Sequence, residues 1–280
     1  MFQTLSRSWS LVKASAEVLK SDRELLVFPL VSGLATLLVA ATFALPLFGL
    51  GLMDAAAKGA WGPLHVLLGF AFYVCQYAVI FFFNTALVGA AMIRLDGGDP
   101  TLADGLRIAR ERLPAILGYA VIAATVGMVL QAIQERAGWI GRIVVGLIGM
   151  AWTLATALVV PVLVAKNVGP IDAVKESASL LKRTWGENIV GNGGIGVVFW
   201  LISVAVIIAG VVLVVLAAKV AGVAGAIAAG VVLGLALVMV ALVQQALAGI
   251  YAAALYRYAT VGEAPAGFGG GVLEAAYRRK

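Results

Sequence analysis

"RLDGGDPTLADGLRIARERLP", Arg94 to Pro114, sets four arginines and four acidic residues into a chain of 280 residues that is 62% hydrophobic and only 12% charged. On a soluble domain it would be one surface segment among many; between two membrane crossings it is a water-exposed link. Composition decides. Soluble domains run nearer half apolar and about a quarter charged, whereas this chain has a mean hydropathy of +1.04. Its apolar residues come in blocks of the roughly 20 that a helix needs to cross a hydrocarbon layer about 30 Å thick. Blocks without alternation also exclude barrel strands.

Working outward, six transmembrane helices are expected, at about 25–50, 64–93, 114–133, 143–165, 195–217 and 222–257. The apolar run from Gly222 to Ala259 would be on the order of 55 Å long as one helix, so it must tilt, kink or project into water. Segments 1–24, 94–113, 166–188 and 257–280 carry four Lys/Arg each, sixteen of the twenty, and the alternating loops carry only Lys58, Arg136, Arg142 and Lys219. That bias puts both termini in the cytoplasm of a multi-pass protein of the inner (plasma) membrane. Trp61 and Trp139 fall at an outer aromatic belt, and Tyr251, Tyr256 and Tyr258 at an inner one. The basic, then apolar, start is read as a retained span, since 24 residues precede the apolar run.

Three of the inward segments share a pattern. Phe2, Leu5, Trp9, Val12, Ala16 and Leu19 lie at spacings of three and four, as do Leu102, Leu106, Ala109 and Leu113, and again Ile171, Val174, Ala178, Leu181 and Trp185. Each reads as an amphipathic helix at the membrane interface, running into the next span. "DGLRIARERL" from Asp104 aligns with "DAVKESASLL" from Asp172, and "LYRYATVGEAP" from Leu255 with "MIRLDGGDP" from Met92. The fold expected is therefore an all-α, polytopic bundle forming one membrane domain, 1–280. It holds three parallel repeats of amphipathic helix plus transmembrane hairpin, about 1–93, 94–165 and 166–258, and a cytoplasmic tail, 259–280. "GVLEAAYRRK" in that tail reads as the start of a shortened fourth copy. All three copies point the same way, unlike the inverted repeats of many alternating-access carriers.

Chemistry is mostly missing. No charged residue occupies the heart of any expected span, where pumps, ion-coupled carriers and intramembrane hydrolases keep them. No catalytic, cofactor-binding or metal residues are assigned, and no cofactor is expected. His65 has no Cys, Asp or Glu at ligand spacing and reads as an interfacial imidazole. The single cysteine, Cys75, reads as a small buried hydrophobe. "GG" at Gly97, "GNGGIG" at Gly191 and "GFGGG" at Gly267 lack the lysine of a phosphate loop and read as hinges and helix ends. Asp99 followed by Pro100 reads as a helix start, a capping acid and a first-turn proline.

What the spans do hold is neutral. Tyr73, Tyr77 and Asn84 share one helix face, and Gln244, Tyr251 and a neighbouring Gln245 another, with Gln131, Thr153 and Thr156 besides. They form either interhelical hydrogen bonds or a polar cavity. Ala86 with Ala90, and Gly230 with Gly234, are small-residue pairs that let helices of the bundle approach closely. The inward cations Arg7, Lys13, Arg107, Arg110, Lys175, Lys182 and Arg183 are expected to meet anionic headgroups on the cytoplasmic side. Nucleic acid is not expected, because the sixteen inward cations are accompanied by twelve acids and spread over four segments.

"RSWSLVKASAEVLKSDRELLVFPLVSG", Arg7 to Gly33, with its S-W-x-L-x-K and E-L-L-x-F-P elements, and "LVVPVLVAKNVGPIDAVKESASLLKRTWGENI", Leu158 to Ile189, resemble a prokaryotic family of six-span membrane proteins classed as a domain of unknown function. The resemblance implies an inner-membrane protein and brings no catalytic residues with it. The leading expectation is a membrane scaffold or partner subunit, with a lipid-contacting cytoplasmic collar and a protein partner or second copy. The alternative is a passive channel or carrier for a small or lipid-like solute, and an enzyme ranks last.

Overall fold

The computed structural model describes the backbone of residues 2–49, 62–183, 185–262 and 268, and the side chains of 9–45, 62–182, 195–262 and 268. The chain is helical almost throughout, with no strand among the described residues. In order run α1 (Phe2–Ser21), a 3-10 turn (Arg23–Leu26), α2 (Val27–Gly49), α3 (Pro63–Leu95), α4 (Leu102–Glu111), α5 (Leu113–Arg136), α6 (Trp139–Ala155), α7 (Val159–Ala165), α8 (Pro170–Arg183) and α9 (Trp185–Val261).

Five stretches are long and apolar enough to cross a membrane: Arg23–Leu45, Pro63–Leu95, Leu113–Arg136, Trp139–Ala165 and Ile195–Val261. The last merges the fifth and sixth expected spans. Its 67 residues would reach about 100 Å if straight. They do not run straight, because Gly222 has φ 63° and ψ −148°, backbone that only glycine adopts readily. A Cβ on Gly210 would strike the methyls of Leu233, 23 positions away and about 35 Å distant along an unbroken helix. The two arms of α9 therefore fold back along each other at Gly222.

The core sits at one end of the bundle. Its buried members include Leu11, Leu25, Phe28, Leu87, Tyr119, Leu163, Phe199, Tyr251 and Leu255. Away from that end the side chains point outward: Leu45 is 76% exposed, Trp139 75% and Val220 88%. Apolar surface on that scale is stable only against lipid. Cys75 joins it, exposed instead of buried, because α3 is covered on only part of its circumference along that stretch.

Ion pairs lace the core end. Arg94 reaches Asp22 at 3.8 Å and Asp99 at 3.2 Å, Arg257 pairs with Asp96, and Lys166 with Glu176. Arg94 also donates to the Ser21 and Gly98 carbonyls, and Arg112 to the Asn167 side chain at 2.6 Å. Partly exposed pairs are worth about 0–1 kcal/mol each. Their use is to fix which loops meet.

Several local expectations are corrected. The cap of α4 is Thr101, whose hydroxyl accepts from the Asp104 N–H at 3.2 Å while the Asp104 carboxylate accepts from the Thr101 N–H at 3.1 Å. Thr101 is extended, at φ −98° and ψ 162°, and this reciprocal box satisfies two end donors, so Asp99 is left to Arg94. "GNGGIG" continues the helix of α9 instead of ending it, since in lipid a helix is the one local way to pair every backbone group. Gly97 and Gly262, at φ 86° and 83°, do stop α3 and α9, as C-terminal glycines do.

The faces of the three short helices match the expected stripes in part. Val12, Leu19, Ala109 and Leu181 are buried, whereas Trp9, Leu106 and Ile171 point out. The covered faces also take in Leu11, Ala14, Ser15 and Val18 on α1, Gly105 on α4, and Ala173, Ser177 and Leu180 on α8. On α4 the small residues permit close contact with the bundle, and Leu106 on the neighbouring face is turned away from it. A Cβ on Gly105 would lie 2.7 Å from the Ala86 carbonyl, so α4 packs at close range on Ala86 of α3. Gly230 and Gly234 meet nothing within 4 Å, so that pair packs against no other part of the chain among the described residues.

Candidate functional site

The site begins at a break in the fourth apolar stretch. Pro161 has no N–H, its ring crowds the carbonyl four residues back, and the helix from Trp139 breaks in the turn before it. The chain turns at Thr156 and Leu158, at φ/ψ of −98°/0° and −106°/9°, and restarts at Val159. The interruption leaves backbone groups without helical partners in an apolar interior. Ser177 of α8, fully buried, supplies them: its hydroxyl donates to the Ala155 carbonyl at 2.6 Å and accepts from the Leu158 N–H at 3.1 Å.

Beside the break lies a cavity of about 400 Å³ between α3, α5, α6, α7 and α9. Its polar lining is Asn84, Tyr119, Thr153, Thr156 and Gln245, and no charged side chain lines it. The threonines donate to their own helix, Thr153 to Gly149 at 2.9 Å and Thr156 to Trp152 at 2.8 Å, and the Tyr119 hydroxyl interacts with Thr156. Neither the Asn84 nor the Gln245 amide has a hydrogen-bond partner among the described residues. Gly249 brings α9 close enough to α3 to form this wall, since a Cβ there would lie 2.6 Å from Leu87 and 3.6 Å from the Asn84 oxygen.

An aromatic ladder runs from the cavity toward the far end. Tyr119 meets Phe81 at 4.5 Å between ring centres, Phe81 stacks on Tyr77 at 5.6 Å, and Tyr77 on Tyr73 at 6.3 Å. Tyr73 donates to Gln131 at 3.5 Å, and Gln131 to Glu135 at 3.1 Å. Of the residues expected to form interhelical hydrogen bonds or a polar cavity, Asn84 and Gln245 line the cavity, Tyr73 and Gln131 bond each other between α3 and α5, Tyr77 stacks in the ladder, and Gln244 and Tyr251 do not line the cavity; Tyr251 is buried in the core. Tyr119 was missed, although a tyrosine inside the third span, about two turns from its start, was the signal. A larger open depression of about 530 Å³, lined by Val129, Ala132, Ile133, Arg136 and Ala137, is an apolar outer surface.

The expected lipid-contacting cations divide. Arg107 is held by Asp104 and Glu111, both at 3.3 Å, and Lys175 by Asp172 at 3.5 Å. Lys13 lies over the Trp9 ring at 5.9 Å. Arg110 and Lys182 are exposed and make no ion pair with the described residues; the side chains of Arg7 and Arg183 lie outside the described residues. Hydrogen bonds from Thr101 hold the Asp104 carboxyl below its ordinary range, Glu176 raises the Lys166 ammonium, and burial pushes Asp22 up against the opposing pull of Arg94. The His65 ring accepts the Gly62 N–H at 3.1 Å and caps α3. No three His, Cys, Asp or Glu side chains gather as a metal site among the described residues.

No curated protein and no solved structure matches the chain. A family model matches residues 64–268, which include the Leu158–Ile189 stretch but not Arg7–Gly33. The match covers most of the chain, with the cavity and the ladder inside it, and the protein belongs to the family of unknown function DUF6159.

Proposed function

We propose that this is a non-enzymatic, six-span protein of the inner (plasma) membrane, with both termini in the cytoplasm, that holds a small or lipid-like solute within the bilayer as a passive carrier. The fold-back at Gly222 supports counting the 67-residue stretch as two crossings. The concentration of Lys/Arg in alternate segments supports the orientation. A threefold repeat draws support from Arg94, Lys166 and Arg257, which end the second apolar stretch of each unit and each find a carboxylate. The Asp104–Arg107 pair recurs 68 residues on as Asp172–Lys175, and buried Gly105 and Ala109 recur as buried Ala173 and Ser177.

The observation that carries the function is the uncharged cavity beside a broken helix, with two side-chain amides turned to it and unpartnered among the described residues. Irregular backbone at membrane depth occurs where it lines a cavity or is buried in protein. In reconstituted vesicles, Asn84→Leu with Gln245→Leu is expected to slow transbilayer movement of a fluorescent single-chain lipid analogue while the protein stays monodisperse. Equal rates for wild type, double variant and empty vesicles would refute the carrier. The scaffold reading rests on a different observation: Trp9, Leu106 and Ile171 point outward on the same short helices that carry the exposed cations Lys13, Arg110 and Lys182, a surface suited to anionic lipid and to a partner. A partner or anionic lipid that co-purifies with wild type and is lost on reversing the charges of Arg110 and Lys182 would support it.

A further inference from the structure

Building on the carrier reading, we propose that the cavity recognises an uncharged, hydroxyl-bearing headgroup of a single-chain amphiphile, which enters sideways from the lipid. Size comes first. A volume of about 400 Å³ holds roughly a dozen water-sized groups at about 30 Å³ each, enough for a glycerol or alcohol head and the first carbons of a chain, and too little for a whole two-chain phospholipid. Charge comes second. No Lys, Arg, Asp or Glu lines the cavity, so an ionic head would be stripped of water with nothing to pair it.

Hydrogen bonding then narrows the class. Thr153 has its proton committed to the Gly149 carbonyl, which leaves its oxygen as an acceptor, while Thr156 is already engaged by Trp152 and the Tyr119 hydroxyl. Asn84 and Gln245 each offer an NH2 donor and a carbonyl acceptor, with no other partner among the described residues. A ligand that both donates and accepts satisfies this set, as a hydroxyl does; a pure acceptor leaves the Thr153 oxygen unmet. Entry is lateral because Thr153 is exposed while Leu158, Val159 and Val160 behind it are buried. The chain of the amphiphile then stays in the bilayer beside α6, whose Ile148 and Met150 face outward.

The test uses the full-length protein in nanodiscs of zwitterionic lipid and a monoacylglycerol with a photoreactive chain, with crosslinked peptides mapped by mass spectrometry. Labelling is expected within 148–161 and 245–252, displaced by unlabelled monoacylglycerol and not by an alkyl sulfate of the same chain length. Asn84→Leu and Gln245→Leu should each weaken displacement by about tenfold, and Gln244→Leu, which does not line the cavity, should leave it unchanged. Displacement by the alkyl sulfate as effective as by monoacylglycerol would overturn the ligand class and leave the carrier standing. Undiminished labelling in both amide variants would overturn the role of the amides. No labelling in either segment by any probe would remove the cavity, and the carrier reading with it.

Discussion

Ser177→Ala removes one oxygen and exposes how the broken span is held. The hydroxyl is fully buried, donates to the Ala155 carbonyl at 2.6 Å and accepts from the Leu158 N–H at 3.1 Å. Interhelical hydrogen bonds in membranes average only about 0.6 kcal/mol, because lost partners are replaced. Replacement is hard here: both groups are backbone atoms at a helix interruption, and Leu158 and Ser177 are fully buried. Each stranded group then costs about 1–3 kcal/mol, and the variant, with two of them, should lose about 2–6 kcal/mol. The assay is denaturant or thermal unfolding in mild detergent, followed by tryptophan fluorescence, to which Trp152, on α6 one turn before the break, contributes. Ser179→Ala, an exposed serine on the same helix, is the control and should stay within about 0.5 kcal/mol of wild type. If Ser177→Ala matches that control, Ser177 is not what completes the break.

Gly105→Ala should destabilise by about 1–3 kcal/mol, because its methyl would meet the Ala86 carbonyl at 2.7 Å; Gly230→Ala, with nothing within 4 Å, should be neutral in the same unfolding assay. Gly222→Ala should cost about 1–3 kcal/mol from backbone strain alone, since the position has φ 63° and open space around it. The pH response has a definite sign. The folded value of Asp104 is lowered, chiefly by Thr101, so its contribution is present above the ordinary aspartate value and lost as pH falls through the lower folded one. Asp104→Asn should flatten that acid limb in an unfolding titration; an unchanged slope would count against the cap. Lys166 is raised by Glu176, so its contribution is complete below the ordinary lysine value and lost as pH climbs through the higher folded one.

What was legible in the sequence follows from what lipid enforces. Apolar blocks must be helices in a bilayer, so the first four membrane stretches match their expected positions closely. Fine rotation was less visible: adjacent residues on a helix differ by about 100°, and periodicity could not tell that Gln245, and not Gln244, faces the cavity. On the short helices the stripes included Leu106 and Ile171, which point out, and left out Gly105, Ala173 and Ser177, which are buried, because close approach selects for smallness. Thr101 and Asp99 compete for one cap, and only the backbone angles and the Arg94 contact decide between them. The expected 143–165 span runs straight through the break before Pro161, and Ser177, 22 positions from Ala155, carries no local mark of its role.

Native mass spectrometry of the protein released gently from its own membrane asks the central question directly. One uncharged, single-chain amphiphile per chain is expected on wild type. It should be lost in Ala248→Phe, which fills the cavity from a partly exposed lining position. A bare wild-type chain, or an adduct that Ala248→Phe retains in full, would contradict the carrier.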